Sequence, residues 1–467
     1  MTIAFEHSYA RDLPGTYLRV APDRAPAPRL LALNAPLARA LGLDLGEEEA
    51  RDWFSGAALP AGADPIAQAY AGHQFGGFSP QLGDGRAHLL GEVMTPQGRF
   101  DIQLKGSGRT PFSRGGDGKA AVGPMLREYL ISEFMAAVGV PTTRALAVVA
   151  TGEEVWRETK LPGAVLARVA SSHLRVGTFQ FFAARGDQAQ VRALADYAIA
   201  RHYPELAEAP ARYAAFLDAV IARQARLVAE WMGLGFVHGV MNTDNMAISG
   251  ETIDYGPCAF MEGYAPGTVF SSIDHQGRYA YANQPLILGW NLARLAETLL
   301  PLLDPVQERA VEIANAQLSG IAGRYRAEWL AVMRRKLGLA GEDAGDAALA
   351  KDLLTAMAGA DWTLVFRRLA DEAALRPLFE SFAPMEAWLQ RWRVRAGEGV
   401  AARLADANPA VIPRNHKVEE ALAAATAGDM APFDALLAAL RQPHVAAEPY
   451  MLPAPTGFGQ YVTFCGT

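Results

Sequence analysis

Short apolar runs separated by Gly- and Pro-containing turns dominate residues 63–170, and from about residue 188 the apolar spacing becomes helical. Residues 87–94 read as a strand. Residues 99–105 alternate apolar Phe100, Ile102 and Leu104 with polar neighbours and read as its antiparallel partner, with Pro96-Gln97-Gly98 in the turn. In residues 125–138, Leu126, Leu130 and Phe134 repeat every four positions, which predicts a helix that Gly139 and Pro141 stop and that carries Glu128 one turn in. Residues 144–150 and 163–170 read as further strands around a turn at 151–162. Long helices are expected over 190–202, 211–232, 291–303 and 306–337. Pro210 opens the second of these, and Gly233 and Gly235 close it. Residues 30–43 read as a helix that Pro36 breaks or kinks, and residues 246–253 as a β-hairpin turning at Ser249-Gly250. The tail from 450 to 467 is extended.

This order predicts an α+β chain: a small antiparallel-sheet lobe followed by a helical lobe. The divisions fall at 1–62 (an N-terminal extension packed on the core), 63–187 (the sheet lobe), 188–310 (the helical lobe) and 311–467 (a helical C-terminal extension with a Cys-containing tail). At 467 residues the chain is too long for one simple core. A net charge of −7 argues against a general nucleic-acid binder, which carries a basic face. No uninterrupted apolar run is long enough to span a bilayer, and no basic-then-apolar leader opens the chain. A cytoplasmic monomer that binds neither nucleic acid nor membrane is expected. Two cysteines exclude a disulfide framework and leave room for one regulatory pair. Among 43 basic residues only Lys105, Lys119, Lys160, Lys336, Lys351 and Lys417 are lysines, so each has some claim to a need for ammonium chemistry.

The candidate chemistry centres on His238-Gly-Val-Met-Asn-Thr-Asp-Asn245 and Asp254-Tyr-Gly256. The His-to-Asn spacing fits the catalytic loop of protein kinases, and an Asp on a following turn completes a Mg²⁺ pair. Where kinases place the proton-accepting Asp, this chain has Val240. Either catalysis has been lost, leaving a nucleotide-binding scaffold, or different chemistry runs on the same frame. A lone Asp before a turn is usually a turn former; with Asn245 nine residues earlier, Asp254 reads as a metal ligand. Asp244 is the nearest carboxylate able to replace the missing base, and His238 reads as a loop brace. Lys105 ends its strand after a Gly-rich loop, the kinase order for a phosphate-binding lysine, and Glu128 is placed to orient it. Residues 106–119 form a Gly-rich basic loop whose amides suit an anion. Arg168 and Arg175, ordinary surface charges on the bland reading, could clamp phosphates as a pair. Cys258 and Cys465 are either independent thiols or a redox pair.

The chain resembles the selenoprotein O family, whose bacterial members are also called YdiU. The stretches that carry the resemblance are Ala71-Gly-His-Gln-Phe-Gly, Gly83-Asp-Gly-Arg-Ala, Gln103-Leu-Lys-Gly-Ser-Gly-Arg-Thr-Pro-Phe-Ser-Arg, the two loops above, Ser271-Ser-Ile-Asp-His-Gln-Gly-Arg, Asn408-Pro409 and Arg414-Asn415. The resemblance implies a kinase-like two-lobe fold that binds ATP back to front. It implies transfer of AMP to protein Ser, Thr or Tyr hydroxyls with release of pyrophosphate. It further implies Mg²⁺ or Mn²⁺ on Asn245 and Asp254, and Asp244 as the catalytic base. Nucleotide contacts would come from Gly83, Gly85, Arg86, Lys105, Asp117, Gly118, Arg168, Arg175 and Asp254, with Glu128 orienting Lys105. Redox control through the tail Cys465, with Cys258 as its partner, is implied in the same way.

Overall fold

The computed structural model describes residues 3–464. Its strands before residue 171 are β1 (Tyr17–Arg19), β2 (Arg29–Leu33), β3 (Ile66–Gln68), β4 (Gly72–Gln74), β5 (Gly77–Ser79), β6 (Ala87–Thr95), β7 (Gly98–Lys105), β8 (Ala120–Ala121), β9 (Arg144–Trp156) and β10 (Lys160–Ala170). One antiparallel sheet runs β1-β3-β6-β7-β10-β9-β2, with β8 against β10, while β4 and β5 form a separate hairpin. Beyond residue 171 the chain is largely helical. The protein is therefore α+β, with its sheet in the N-terminal part.

The two-residue period of β7 decides what the sheet does. Ile102 and Leu104 join Leu90, Val165, Ala167 and Val169 in a core that Leu37, Leu41, Ala50 and Phe54 close from outside. Asp101, Gln103 and Lys105 project to the opposite face, as does Arg168 of β10, which lies in register with Gln103. All four are buried. Polar groups are buried at low cost only when paired, and the helix Val122–Ala137 on this face supplies Glu128.

Several expected elements take a different form. Residues 30–43 split into β2 and a helix at Ala35–Ala40: Asn34 caps the helix by accepting from Leu37 N (3.3 Å), and Pro36 sits in its first turn. Both β1 and β2, from the N-terminal segment, are edge strands of the main sheet. The broad turn at 151–162 shrinks to residues 157–159, because β9 and β10 continue pairing out to Trp156 and Lys160. The stretch 306–337 breaks at Gly320 into helices Gln307–Ser319 and Ile321–Lys336. Gly233 lies inside its helix, which Gly235 ends at φ +67, packed so closely on Trp362 that a Cβ would lie 2.9 Å from the indole. The hairpin at 246–253 does not form. Ala247 bridges to Arg175 and Thr252 to Thr142, so each half pairs with a neighbouring segment, and Ile248 and Ile253 are buried.

The helix Gln284–Leu303 belongs to a stretch long and apolar enough to cross a bilayer. It also carries Arg294 and Glu297, and it buries Leu288, Leu292, Leu295 and Leu299 in the core. The C-terminal helices Asn415–Thr426 and Ala431–Leu440 pack back on the Glu128 helix.

Lys336 shows what a buried lysine costs. It lies over the Phe366 ring and donates to Asn408 Oδ1 (2.9 Å), and burial pushes its pKa down to about 7. In the unfolded chain the ammonium titrates near pH 10.4. The unfolded state therefore binds more protons between these values, and stability rises with pH across that window. Lys336→Met removes this term. The difference in Tm, variant minus parent, should fall steadily from pH 7 to pH 9 in a thermal-shift series.

Candidate active site

A cleft of about 880 Å³ lies between the sheet and the helical part. Gly83, Gly85, Arg86, Lys105, Asp117, Gly118, Glu128, Arg168, Arg175, Asp244, Asn245 and Asp254 all line it. Stretches far apart in the chain thus meet at one place.

At its floor three cations converge on one carboxylate. Lys105 Nζ donates to Asp254 Oδ1 (2.5 Å) and to Glu128 Oε2 (2.6 Å). Arg168 Nη1 reaches the same Asp254 oxygen (2.8 Å) and Glu128 Oε1 (3.3 Å). Arg175 Nη1 donates to Asp254 Oδ2 (3.1 Å) and to the Asp244 carbonyl (2.9 Å), and its guanidinium lies over the Tyr70 ring. Burial works to raise the Asp254 pKa, but the charges of Lys105, Arg168 and Arg175 hold it well below the usual carboxylate range. Asp254 also sits at φ +64, a conformation that Asp tolerates better than most residues. Such backbone gathers at functional sites.

Asp244 has a different environment. It lies in the single turn Thr243–Asn245 and is almost fully buried. Gln74 Nε2 donates to its Oδ2 (3.1 Å), while Oδ1 has no hydrogen-bond partner among the described residues. Burial pushes its pKa up to about 6, against the pull of Gln74 and Arg175. Asn245 donates Nδ2 to the Val240 carbonyl (3.0 Å), which leaves its amide oxygen as an acceptor. Among the described residues no cluster of three or more His, Cys, Asp or Glu forms a metal cage. One carboxylate plus one amide oxygen nevertheless fits a hard cation that completes its shell with phosphate oxygens and water. His238 is a brace: its Nε2 bonds the Ile253 carbonyl (2.9 Å), tying the two loops together.

The glycine-rich segments approach closely. A Cβ on Gly83, at φ +66, would fall 2.3 Å from the Phe112 ring, and one on Gly118 would fall 2.1 Å from the Gly108 carbonyl. Asp117 is tied by Arg157 (2.8 Å) and accepts from Lys119 N (2.9 Å). Cys258 is buried two residues beyond Gly256, with Sγ 3.3 Å from the Tyr255 carbonyl. The tail reaches this loop, since Thr463 donates to the Pro257 carbonyl (2.7 Å); Cys465 lies outside the described residues.

Three participants escaped the sequence reading. Gln103 accepts from Arg168 Nη2 (2.6 Å) and donates to Asp84 Oδ2 (3.1 Å). Asp84 is buried, its pKa raised to about 6 by that burial, and its Oδ1 has no hydrogen-bond partner among the described residues. Gln74 is the third. The strand alternation that ends on Lys105 contains the signal for Gln103, two positions earlier on the same face; Gln74 and Asp84 lie in the Ala71-Gly-His-Gln and Gly83-Asp-Gly stretches of the family resemblance, which gave neither a role.

The family described as "Protein adenylyltransferase SelO" matches residues 1–441. The chain belongs to that family. Similar full-length relatives include a "Protein nucleotidyltransferase YdiU" of Cereibacter sphaeroides, 65% identical over 481 aligned positions that cover all of both chains. Proteins of the same description from Rhizobium rhizogenes (55% identical, covering 100% of this chain and 97% of the relative) and Mycolicibacterium paratuberculosis (56%, 100% and 99%) are also similar. SelO membership makes this a protein adenylyltransferase, with ATP as its nucleotide and proteins as its acceptors. The resemblance drawn from the motifs is thereby established across the chain, and the inactive-scaffold alternative gives way.

Proposed function

We propose that the chain transfers AMP from ATP to Ser, Thr or Tyr hydroxyls of proteins, releasing pyrophosphate, in a kinase-like cleft that holds ATP back to front. The observation that carries this reading is the pairing of two unlike carboxylates. Asp254 is surrounded by cations, and Asp244 is buried with one oxygen lacking a hydrogen-bond partner among the described residues. Opposed environments suit the two carboxylates to different tasks, Asp254 held ionised as a metal ligand and Asp244 as the proton acceptor.

Lys105, Arg168 and Arg175 would exchange Asp254 for phosphate oxygens when ATP enters, and Glu128 keeps Lys105 and Arg168 aimed during the exchange. The guanidiniums suit the charge that develops on the departing pyrophosphate. Gly83, Gly85, Arg86, Asp117 and Gly118 line the part of the cleft left for the rest of the nucleotide. Asn245 and Asp254 would hold Mg²⁺ or Mn²⁺, which when bound supplies charge neutralisation to the phosphates. Asp244 accepts the proton of the incoming hydroxyl. Val240, at the kinase base position, has no atom able to do so.

Labelled nucleotide tests the reading. With α-³²P-ATP the acceptor protein should retain label, and with γ-³²P-ATP it should retain none while labelled pyrophosphate appears. Retention of γ label would replace AMP transfer by phosphate transfer.

A further inference from the structure

The single turn that carries Asp244 gives its side chain little rigidity, so the carboxylate must be aimed from elsewhere. The β4–β5 hairpin, some 170 residues earlier, does this with three hydrogen bonds. His73 N donates to Thr243 Oγ1 (2.7 Å), Gln74 Nε2 to Asp244 Oδ2 (3.1 Å) and Phe75 N to Asn242 Oδ1 (3.2 Å). Each of three consecutive hairpin residues thus grips one of three consecutive loop residues.

The grip is itself braced. Thr243 Oγ1 donates to Gln180 Oε1 (2.5 Å), and Gln180 Nε2 lies 2.8 Å from His73 Nδ1, closing a ring of contacts. Tyr279 OH donates to Asn242 Oδ1 (2.6 Å). Glycines let the backbones come together. A Cβ on Gly72 would lie 2.3 Å from Asp244 Oδ1, and one on Gly177 would lie 2.1 Å from the Ala71 carbonyl. Phe75 takes φ +51 to turn the hairpin while keeping its N–H on the loop.

We propose that Gln74 is a positioning residue for AMP transfer, its carboxamide fixing the orientation of the Asp244 carboxylate through Oδ2. The idea rests on Asp244 being the base. His73 and Phe75 use backbone N–H groups and Gln74 a side chain, so a substitution at 74 removes one contact and leaves the other two. The Gln74 carboxamide is bonded to the reacting carboxylate and to none of the phosphate-binding cations, so its loss should act on turnover and not on nucleotide affinity.

The test uses Gln74→Met, which keeps length and loses the amide, and Gln74→Asn, which keeps the amide one methylene short. Both are assayed with α-³²P-ATP and a mixed soluble-protein extract as acceptor. A carboxylate released from its geometry should lower kcat by about 10- to 100-fold, with KM for ATP within about twofold of the parent. Combined with Asp244→Asn, Gln74→Met should change the residual rate by less than about twofold, because the group it positions is gone. Turnover of Gln74→Met at the parent rate would falsify the proposal, as would an equal fractional loss in the Asp244→Asn background. If Gln74→Met unfolds, Gln74→Asn decides between the same outcomes. Should Asp244→Asn turn over at the parent rate, the base assignment fails first; should it be inactive while Gln74→Met is fully active, only the positioning role fails.

Discussion

Asp244→Asn should lower AMP transfer by about 10²- to 10⁴-fold, the usual range for loss of a positioned general base, while ATP binds with nearly the parent affinity. The structure separates the two quantities. Lys105, Arg168 and Arg175 gather on Asp254, the first two also on Glu128, and Arg175 meets Asp244 through its backbone carbonyl. An amide at 244 keeps that carbonyl, the loop turn and the side-chain volume, and it removes the proton acceptor. Steady-state transfer measured beside calorimetric ATP affinity checks both halves. A variant that loses affinity as steeply as turnover would assign Asp244 to nucleotide binding.

Asp254→Asn should also abolish transfer, and yet leave metal-free ATP binding as strong as in the parent or stronger. Asp254 is the shared partner of Lys105, Arg168 and Arg175, so an incoming triphosphate competes with it for all three. Neutralising the carboxylate removes the competitor and leaves the cations more attractive to phosphate. It also removes the only carboxylate of the proposed Asn245–Asp254 pair, so the divalent ion should bind poorly and transfer should fall by at least about 10²-fold. Asn suits the test because it tolerates the left-handed backbone at this position, where Ala would add strain. Calorimetry with ATP in chelator, then with added Mg²⁺ or Mn²⁺, measures the two effects separately. Weaker binding in chelator would show that Asp254 supports the cations instead of competing for phosphate.

Local order explains which parts of this site were readable from the residues. The β6–β7 hairpin, the Glu128 helix and the loops at 238–245 and 254–256 are contiguous, with turn and periodicity signals inside each. Lys105, Glu128, Asn245 and Asp254 could be named from those signals and from the kinase spacing. The roles of Gly83, Gly85, Arg86, Asp117 and Gly118 came only through family resemblance; the structure puts them on the same cleft. The expected hairpin at 246–253 failed for a physical reason: two short apolar pieces around Ser249-Gly250 have the local pattern, but Ala247 and Thr252 bridge to Arg175 and Thr142 of other segments instead of to each other. The helix expected over 30–43 failed likewise, because leucine spacing alone could not show that Leu30 to Leu33 would extend the sheet beside β9.

Alternation and motif spacing are properties of neighbours along the chain, and they were enough to announce an α+β protein with an acidic, amide-bearing loop and a lysine-tipped strand. Which oxygen of Asp244 is held and which is left over depends on a hairpin far upstream, and the three-cation ring about Asp254 depends on β7, β10 and the start of the helix Val176–Ala183 arriving together. Hydrogen bonds and charge pairing act over a few ångströms of space, whatever the distance in sequence, so these features came into being only when the chain closed on itself.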